Sequence, residues 1–425
     1  MNTGLMVVLF LLVLSFLGMP IYLALGIGTL VALNSANTTL LILPQKIFAG
    51  MNSSSLLAIP FFILAGNLMS RSITTKLIDI ADALIGRIKG SLAMVTVLAS
   101  TLFGAISGSA VATASAIGGI TINAMQDKKY PKPFTTAVAA ISSILGPVIP
   151  PSIPLIVYAS VVTNASVAGL FIGSLLPGIV LSFLMVLYCG YFGKRFNLPA
   201  SSKKTPKEVA NAFKDGIWAL LMPVIILGGI FGGIFTPTEA AAVSVAYALI
   251  ISFTVYKDLS FKQMCNSFYE ASISTATVMI MIGLSKASSY VVVTSGLPQQ
   301  MLGLFTAITS NKYVILLLIN ILFLIIGMLM EASAAIIMMT PILLPVLTAF
   351  NIDILHFGVM MSLNLSIGVV TPPVGLSLLV CNQIGKTSLW ESVKAMLPMF
   401  VICLVVLTFV TYIPSLSTWL PNLIR

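Results

Sequence analysis

The chain has 425 residues, of which 58% are hydrophobic and 8% charged, with a mean hydropathy of +1.10. An ordinary soluble domain carries roughly 25% charged residues, so this composition excludes a soluble enzyme and predicts a polytopic membrane protein. The formal net charge of +10 fits the excess of lysine and arginine on the cytoplasmic side of membrane proteins, not a nucleic-acid partner. Four scattered cysteines without CxxC spacing indicate neither a disulfide framework nor a zinc site.

The first half of the chain predicts spans, a flat helix, a hairpin and a broken span. Leu5 to Leu33 is predicted to form one span with a kink at Pro20, because about 20 apolar residues suffice to cross a bilayer. The following elements are an amphipathic piece at 40–49, a span core at 56–69, a flat helix at 73–89, short helices at 91–106 and 109–126, a broken span at 133–162 and an unbroken span at 166–191. The short pair meets at Ser107-Gly-Ser109, which predicts a re-entrant hairpin.

A repeat relates the two halves, which are separated by a polar stretch at 194–215. The string Gly146-Pro-Val-Ile-Pro-Pro-Ser152 recurs 222 residues later as Gly368-Val-Val-Thr-Pro-Pro-Val374. The same offset predicts the second half from the first. Its elements are spans at 217–235, 239–256 and 275–293, amphipathic helices at 261–268 and 297–309, a hairpin of 313–330 and 331–350, a broken span at 354–384 and a last span at 397–412.

The basic residues indicate how the halves are oriented. A cytoplasmic N-terminus and two re-entrant hairpins place 17 of the 21 basic residues in cytoplasmic segments, at 71–89, 127–132, 194–214, 257–262 and 386–394. The positive-inside rule supports this arrangement. The hairpins then enter from opposite faces and the C-terminus is periplasmic. The predicted fold is therefore an all-α polytopic membrane protein built from inverted repeats, with two re-entrant hairpins and two broken helices.

Helix ends are expected to meet near the membrane midplane. Consecutive prolines remove amides from the helical ladder, and such backbone is tolerated at membrane depth where it is buried or lines a wet cavity. Half-helices beginning at Ser109, Ser152, Glu331 and Val374 present N–H groups that suit an anionic carboxylate. Half-helices ending near 106, 146, 327 and 368 expose carbonyls instead. The pattern predicts the transport of a solute.

Exposed carbonyls with nearby hydroxyls are hard oxygen ligands, so the repeat predicts two Na⁺ sites. One comprises Ser107, Ser109, Gly146, Val148 and Pro150, and the other comprises Gly327, Glu331, Gly368 and Thr371. Helix capping and cation contact are equally open for Glu331. Lys286 inside a span could pair with an anion, snorkel or lie at a subunit contact. Glu239 is predicted to be a first-turn helix acid and His356 to be structural.

Enzyme motifs are absent from the sequence. It contains no His-Glu-x-x-His, Walker or metal-cluster pattern, and the single histidine has no nucleophile at motif spacing. The sequence therefore predicts neither an enzyme nor ATP-driven chemistry.

Five strings spread over nearly the whole chain carry a family resemblance. They are Ile59-Pro-Phe-Phe-Ile-Leu-Ala-Gly66, Phe103-Gly-Ala-Ile-Ser-Gly-Ser109, Gly146-Pro-Val-Ile-Pro-Pro-Ser152, Gly232-Gly-Ile-Phe-Thr-Pro-Thr-Glu-Ala-Ala241 and Thr371-Pro-Pro-Val-Gly375. With them the chain resembles the large membrane subunit of tripartite ATP-independent periplasmic (TRAP) transporters, and most of all the sialic acid branch. The resemblance implies Na⁺-coupled uptake of an organic acid by an elevator movement in the bacterial inner membrane. It also implies two partners, a separate small membrane subunit of four spans and a periplasmic substrate-binding protein.

The resemblance further implies a division of the chain into moving and static parts. The transport domain would comprise 91–163 and 313–384, and the scaffold 1–90, 164–312 and the final span in 385–425. The substrate carboxylate would lie near Ser107, Ser109, Ser152 and Ser333. No arginine lies in the proposed transport domain, so helix dipoles, serines and bound Na⁺ would neutralise the substrate carboxylate. The alternatives are a C4-dicarboxylate TRAP permease, a free-standing divalent-anion/Na⁺ symporter without a binding protein, and a channel or structural module.

Overall fold

The computed structural model describes residues 2–162, 164–201 and 204–424, apart from the side chains of Phe16, Arg71 and Ser72. Lys203 and Arg425, which belong to the charge argument, lie outside the described residues. All regular elements in the described ranges are helical, as expected where lipid offers backbone groups no hydrogen-bond partner. In these ranges seven helices are long and apolar enough to cross a membrane, or nine with two bent pairs.

The first repeat contains eleven α-helices among the described residues, and a 3-10 helix, Ser54–Leu57, precedes α4. The α-helices are α1 Thr3–Phe16, α2 Ile21–Ser35, α3 Ile42–Met51, α4 Ala58–Ser72, α5 Thr74–Ile85, α6 Ser91–Ser107, α7 Ala110–Asp127, α8 Lys132–Ser142, α9 Leu145–Val148, α10 Ile153–Val161 and α11 Val167–Arg195. Helices α6 and α7 pack along each other and reverse at Gly108, whose φ is +62°. Glycine adopts this left-handed conformation without steric cost, and the predicted first hairpin is confirmed.

The second repeat starts after the polar linker. Its helices are α12 Pro206–Phe231, α13 Pro237–Ile250 with a π-helical continuation Ile251–Tyr256, α14 Phe261–Thr294, α15 Leu297–Ile308, α16 Lys312–Leu329, α17 Ala332–Ala349, α18 Ile354–Gly368, α19 Leu376–Gly385, α20 Leu389–Tyr412 and α21 Ser415–Ile424. Thr236 and Glu239 form a capping box that starts α13, which confirms the first-turn role predicted for Glu239. Helix α21 has no counterpart in the predicted elements.

Both broken spans are present. The first bends by 41° between Lys132–Val148 and Ile153–Val161, and the second is interrupted between α18 and α19. The Pro150–Pro151 and Pro372–Pro373 peptide bonds are both cis. The last half-helix begins at Leu376, two residues beyond the predicted start at Val374.

The N-terminal apolar stretch does not form the single predicted span. Helices α1 and α2 reverse at Gly18, whose φ is +84°, and pack against each other with Gly28 beside Val7 and Phe10. Each of these helices has only 14 or 15 residues, which is short of a full crossing. The predicted span from Leu5 to Leu33 is therefore wrong.

This fold-back also places the start of the chain beside α14. The Asn2 side-chain amide donates to the Ser295 carbonyl at 3.2 Å, and the Thr29 and Ser288 hydroxyls lie 2.7 Å apart. Both ends of the α1–α2 pair consequently lie toward the C-terminal end of α14. Packing on α14 therefore stabilises two short helices whose outer ends lie together, where the predicted single span would place them at opposite ends.

A second correction concerns α14, which is one helix of 34 residues. The sequence pattern predicts an amphipathic piece at 261–268 and a separate span at 275–293. The polar residues between them include neither proline nor glycine, so nothing in the backbone breaks the helix there. Helix α14 contacts α2, α3, α4 and α17 and is a central element of the fold.

Each hairpin packs against the broken helix of the other repeat. Helix α7 contacts α19, and α17 contacts α10. Helix α11 lies along α6, with the Thr101 and Ser182 hydroxyls 2.7 Å apart, and α20 lies along α8 and α18. The division that assigns α11 and α20 to the scaffold stays a prediction, although these helices pack on those assigned to the transport domain.

Candidate functional site

The first hairpin tip rests directly on the break between α9 and α10. The Ile153 amide donates to the Gly108 carbonyl at 3.5 Å. A Cβ atom added to Gly146 would lie 2.5 Å from the Ser109 carbonyl oxygen, and one added to Gly108 would lie 2.5 Å from that of Pro151. Glycine at both positions therefore permits contact between two stretches of backbone.

Prolines remove hydrogen-bond donors at this break. In a continuous helix the carbonyls of Gly146, Pro147 and Pro150 would accept from residues 150, 151 and 154, all of which are prolines without an N–H. The Ser152 hydroxyl donates to the Pro147 carbonyl and replaces one lost bond. The carbonyls of Gly146 and Pro150 have lost their helical donors, which leaves strong acceptors beside the hairpin tip.

Hydroxyl groups surround the same tip. Ser107 Oγ lies 3.2 Å from Thr113 Oγ1, which donates to the Ser109 carbonyl at 2.8 Å. Ser109 Oγ caps α7 by accepting from the Ala112 amide at 3.4 Å. The structure thus brings together Ser107, Ser109 and Gly146, with Val148 and Pro150 in the adjoining break. The sequence prediction missed Thr113, which lies one helical turn after Ser109.

The second hairpin tip is arranged similarly around Gly327 and Gly368. A Cβ atom added to Gly368 would collide with the Gly327 backbone. The Thr371 amide donates to the Gly368 carbonyl at 2.9 Å, and its hydroxyl donates to the Ile367 carbonyl at 2.8 Å. Gly327 and Glu331 line a small cavity of about 80 Å³. The backbone contacts therefore parallel those of the first tip.

Glu331 caps α17. Its carboxylate accepts from the Ser333 amide at 2.8 Å, the Ala334 amide at 3.3 Å and the Ser333 hydroxyl at 3.0 Å. A carboxylate suits the positive end of a helix dipole, so the capping role left open by the sequence is present. Direct cation contact by Glu331 stays a prediction.

Both hairpin tips line one cavity of about 520 Å³. Ser107 and Ser109 come from the first tip, and Glu331 and Ala332 from the second. Further polar residues line it from α4, α7 and α14: Asn67, Ser115, Glu270, Ser274 and Thr277. The lining residues that the structure describes include no lysine or arginine but two carboxylates, Glu270 and Glu331, so helix N-termini and hydroxyl groups are the lining groups that could favour a bound anion.

Two predicted substrate residues do not line this cavity. Ser152 and Ser333 are buried, and their hydroxyls donate to the Pro147 carbonyl and the Glu331 carboxylate, respectively. Ser152 is the N-cap of α10 and accepts from the Leu155 amide, whereas Ser333 lies in the first turn of α17 and donates to its N-cap, Glu331. Their hydroxyls therefore hydrogen-bond within the tip and the break and do not face the cavity.

The sequence prediction missed the cavity residues outside the hairpins. Residues Glu270, Ser274 and Thr277 follow the i, i+4, i+7 spacing of one helix face, but the predicted break within α14 separates them. Asn67 is a single polar side chain in an apolar run. Its signal is its position directly after the string that ends at Gly66.

Inverted repeats whose hairpin tips share a cavity among membrane-length helices define a membrane transporter. The crystal structure of the Alcanivorax borkumensis YdaH transporter has a similar fold, with a TM-score of 0.60, 15% identity and coverage of 99% of this chain and 98% of that one. The family described as "Tripartite ATP-independent periplasmic transporter, DctM component" matches residues 7–416.

Relatives agree with this match. The sialic acid TRAP transporter large permease protein SiaM of Vibrio cholerae is 38% identical over 410 residues, covering 96% of each chain. The C4-dicarboxylate TRAP transporter large permease protein DctM of Pseudomonas aeruginosa is 38% identical over 398 residues, covering 92% of this chain and 93% of that one. The chain belongs to the DctM family of TRAP large permeases; it is a multi-pass membrane transporter and not an enzyme.

Proposed function

We propose that this permease couples Na⁺ entry to the uptake of an organic acid, with sialic acid as the first substrate to test, through an elevator movement. The observation that carries the proposal is the pair of glycine-lined hairpin tips that share one cavity and rest on proline-broken helices. Carbonyls without helical donors supply oxygen ligands for a small cation, and helix N-termini supply positive potential for a carboxylate.

The proposed ion sites remain those of the two repeats. One Na⁺ would be held by Ser107, Ser109, Gly146, Val148 and Pro150. The other would be held by Gly327, Glu331, Gly368 and Thr371. Because the described cavity lining offers no lysine or arginine, the bound ions would provide the charge that an acid needs. Transport without Na⁺ would then leave the anion poorly neutralised, which predicts obligate coupling.

The cavity lining supports a substrate with hydroxyl groups in addition to its carboxylate. The carboxylate would face Ser107 and Ser109 at the first tip, while Asn67, Ser274 and Thr277 on the facing helices would meet the rest of the molecule. The family relatives named for sialic acid and for C4-dicarboxylates are equally identical to this chain, so a C4-dicarboxylate is the second candidate.

The proposed setting is the bacterial inner membrane. The family description is tripartite and periplasmic, and the proposed partners are a small four-span membrane subunit and a periplasmic binding protein that delivers the substrate. We place the basic segments at 71–89, 127–132 and 386–394 in the cytoplasm. With the α1–α2 fold-back, the chain then begins on the periplasmic side.

Uptake of labelled sialic acid into proteoliposomes tests this proposal. The vesicles hold this chain and its small subunit, with the binding protein outside, and uptake is measured with and without an inward Na⁺ gradient. We expect accumulation only when Na⁺ and the binding protein are both present. Uptake of a labelled C4-dicarboxylate but not of sialic acid would make the C4-dicarboxylate the proposed substrate. Uptake indifferent to Na⁺ would contradict the coupling, and uptake without the binding protein would favour a free-standing symporter.

A further inference from the structure

Lys286 lies within α14, and its side chain extends to the C-terminal end of α10. It is half-buried, and its ammonium group donates to the Ser160 carbonyl of α10 at 3.4 Å. On the way it crosses α3 at Gly50, where an added Cβ atom would lie 2.7 Å from Lys286 Cβ and Cγ. The glycine therefore leaves room for the lysine stem between α14 and α3.

The acceptor lies at the C-terminal end of α10. The carbonyls of a last helical turn have no N–H partner within the helix and carry the negative end of its dipole, which favours a cation. The Ser160 hydroxyl does not donate to this carbonyl, because it already donates to the Val157 carbonyl at 2.7 Å. Lys286 thus caps α10 from a neighbouring helix.

The position of this contact along α14 relates it to the cavity. The cavity residues on α14 run from Glu270 to Met281, in the N-terminal two thirds of the helix, whereas Lys286 lies beyond them toward its C-terminal end. Helix α10 carries the first broken span against α17, and α17 packs on α14. In the proposed topology residues 257–262 are cytoplasmic, so the cavity lies nearer the cytoplasmic end of α14 and the Lys286 contact nearer its periplasmic end.

We propose that Lys286 is a positioning residue that holds the present access state by capping α10 across the boundary between the moving and static parts. This inference rests on the proposed elevator function, in which α10 moves relative to α14. The contact would form when the cavity seen here is open and would break when access changes to the other face. Loss of the ammonium group should then raise the population of the opposite state.

Thiol labelling from the opposite face tests the proposal. Ile337 on α17 is fully buried, and it is the repeat counterpart of the exposed cavity residue Ser115, 222 residues earlier. The reporter is Ile337→Cys with Cys265→Ser, because Cys265 is exposed and the other three cysteines are buried. Membrane-impermeant maleimide is applied to right-side-out vesicles of the complex, and initial labelling rates are compared.

Lys286→Met should raise this labelling rate about five-fold, by weakening a helix-end contact that favours one of two states. Lys286→Arg should keep the wild-type rate. Lys46→Met is the matched control, since Lys46 on α3 lies over the Tyr290 ring of α14, 4.4 Å from its centroid, in a contact that does not involve α10. If Lys286→Met does not fold, Lys286→Gln, which removes the charge and keeps a donor, replaces it.

An unchanged rate in folded Lys286→Met would overturn the proposal, and so would an equal increase in Lys46→Met. Neither labelling measurement, on Lys286→Met or on Lys46→Met, requires Na⁺, substrate or binding protein. Failure of the wild-type complex to accumulate substrate would instead overturn the proposed function, so the two failures are distinguishable.

Discussion

The two hairpins have equivalent tips but very different surroundings. Val111 in the first turn of α7 is 38% exposed, whereas Ser333, its counterpart 222 residues later on α17, is 1% exposed. The same contrast holds further along, with Ile120 at 38% and Ile342 at 3%. Helix α17 packs against α14 and α15, while α7 presents Val111, Ala112 and Ser115 to the cavity.

This difference shows what the repeat determines and what it does not. Glycines, prolines and caps specify each tip locally, so both tips have the same backbone arrangement. The neighbours of α7 and α17 depend instead on how the hairpins sit against α14. In the proposed cycle, opposite access means exchanging these two environments. The comparison therefore describes one of the two states of an inverted-repeat transporter.

The largest expected effect comes from filling the contact between a tip and its broken helix. Gly146→Ala should abolish uptake, because its Cβ would lie 2.5 Å from the Ser109 carbonyl oxygen and would push the proposed ion ligands apart. Gly368→Ala should do the same in the second repeat. Gly119→Ala on α7 is the control, since no atom lies within 4 Å of its added Cβ. Normal uptake by Gly146→Ala at equal membrane abundance would contradict the shared role of the tips.

Thiol labelling measures the asymmetry of the hairpins directly. In a Cys265→Ser background, Val111→Cys should react with a maleimide more than about ten-fold faster than Ser333→Cys in the detergent-solubilised chain, because reaction requires an exposed thiolate. The remaining cysteines, Cys189, Cys381 and Cys403, are buried and should stay silent. Equal rates would show that the two hairpins exchange environments rapidly or that α17 is not packed on α14 in solution.

Replacing the Glu331 cap by serine distinguishes its capping role from direct contact with Na⁺. Its repeat counterpart is Ser109, a neutral cap, so Glu331→Ser keeps a capping oxygen and removes the charge. We expect little loss of thermal stability, whereas Glu331→Ala should lose about 1 kcal/mol from the missing cap. If Glu331 contacts Na⁺, the Na⁺ concentration for half-maximal uptake should rise about ten-fold in Glu331→Ser. An unchanged Na⁺ requirement would leave Glu331 with the capping role alone.

The smallest effect is expected from joining α6 to α11. The Thr101 and Ser182 hydroxyls lie 2.7 Å apart, so Thr101→Cys with Ser182→Cys should form a disulfide. If α11 moves with the first hairpin, the oxidised pair should retain uptake within about two-fold of the reduced pair, since the disulfide then joins two helices that do not move relative to each other. Reversible loss of uptake on oxidation would support the sequence-based division, in which α11 is part of the scaffold. Each single-cysteine variant serves as a control for the oxidant.

The features that the sequence predicted correctly are local. Gly108 between two serines marks a tip, and paired prolines mark a break, because these residues determine backbone geometry without help from distant neighbours. The α1–α2 fold-back depends on packing against α14, which no local pattern contains. The stripe of Glu270, Ser274 and Thr277 was missed for a related reason, since a polar interruption within α14 resembles a helix end until its neighbours are known.

The missing N–H groups at positions 150, 151 and 154 have a consequence for how such a permease can diverge. Oxygen atoms supplied by peptide groups do not depend on side-chain identity, so substitutions outside the glycines and prolines of the tips and breaks leave them in place. Side chains that line the cavity, such as Asn67 and Thr277, have no such protection. A lineage can therefore change its cargo by point mutation while inheriting the same proposed ion chemistry. Relatives named for sialic acid and for C4-dicarboxylates, equally similar to this chain, are the pattern that such inheritance would leave.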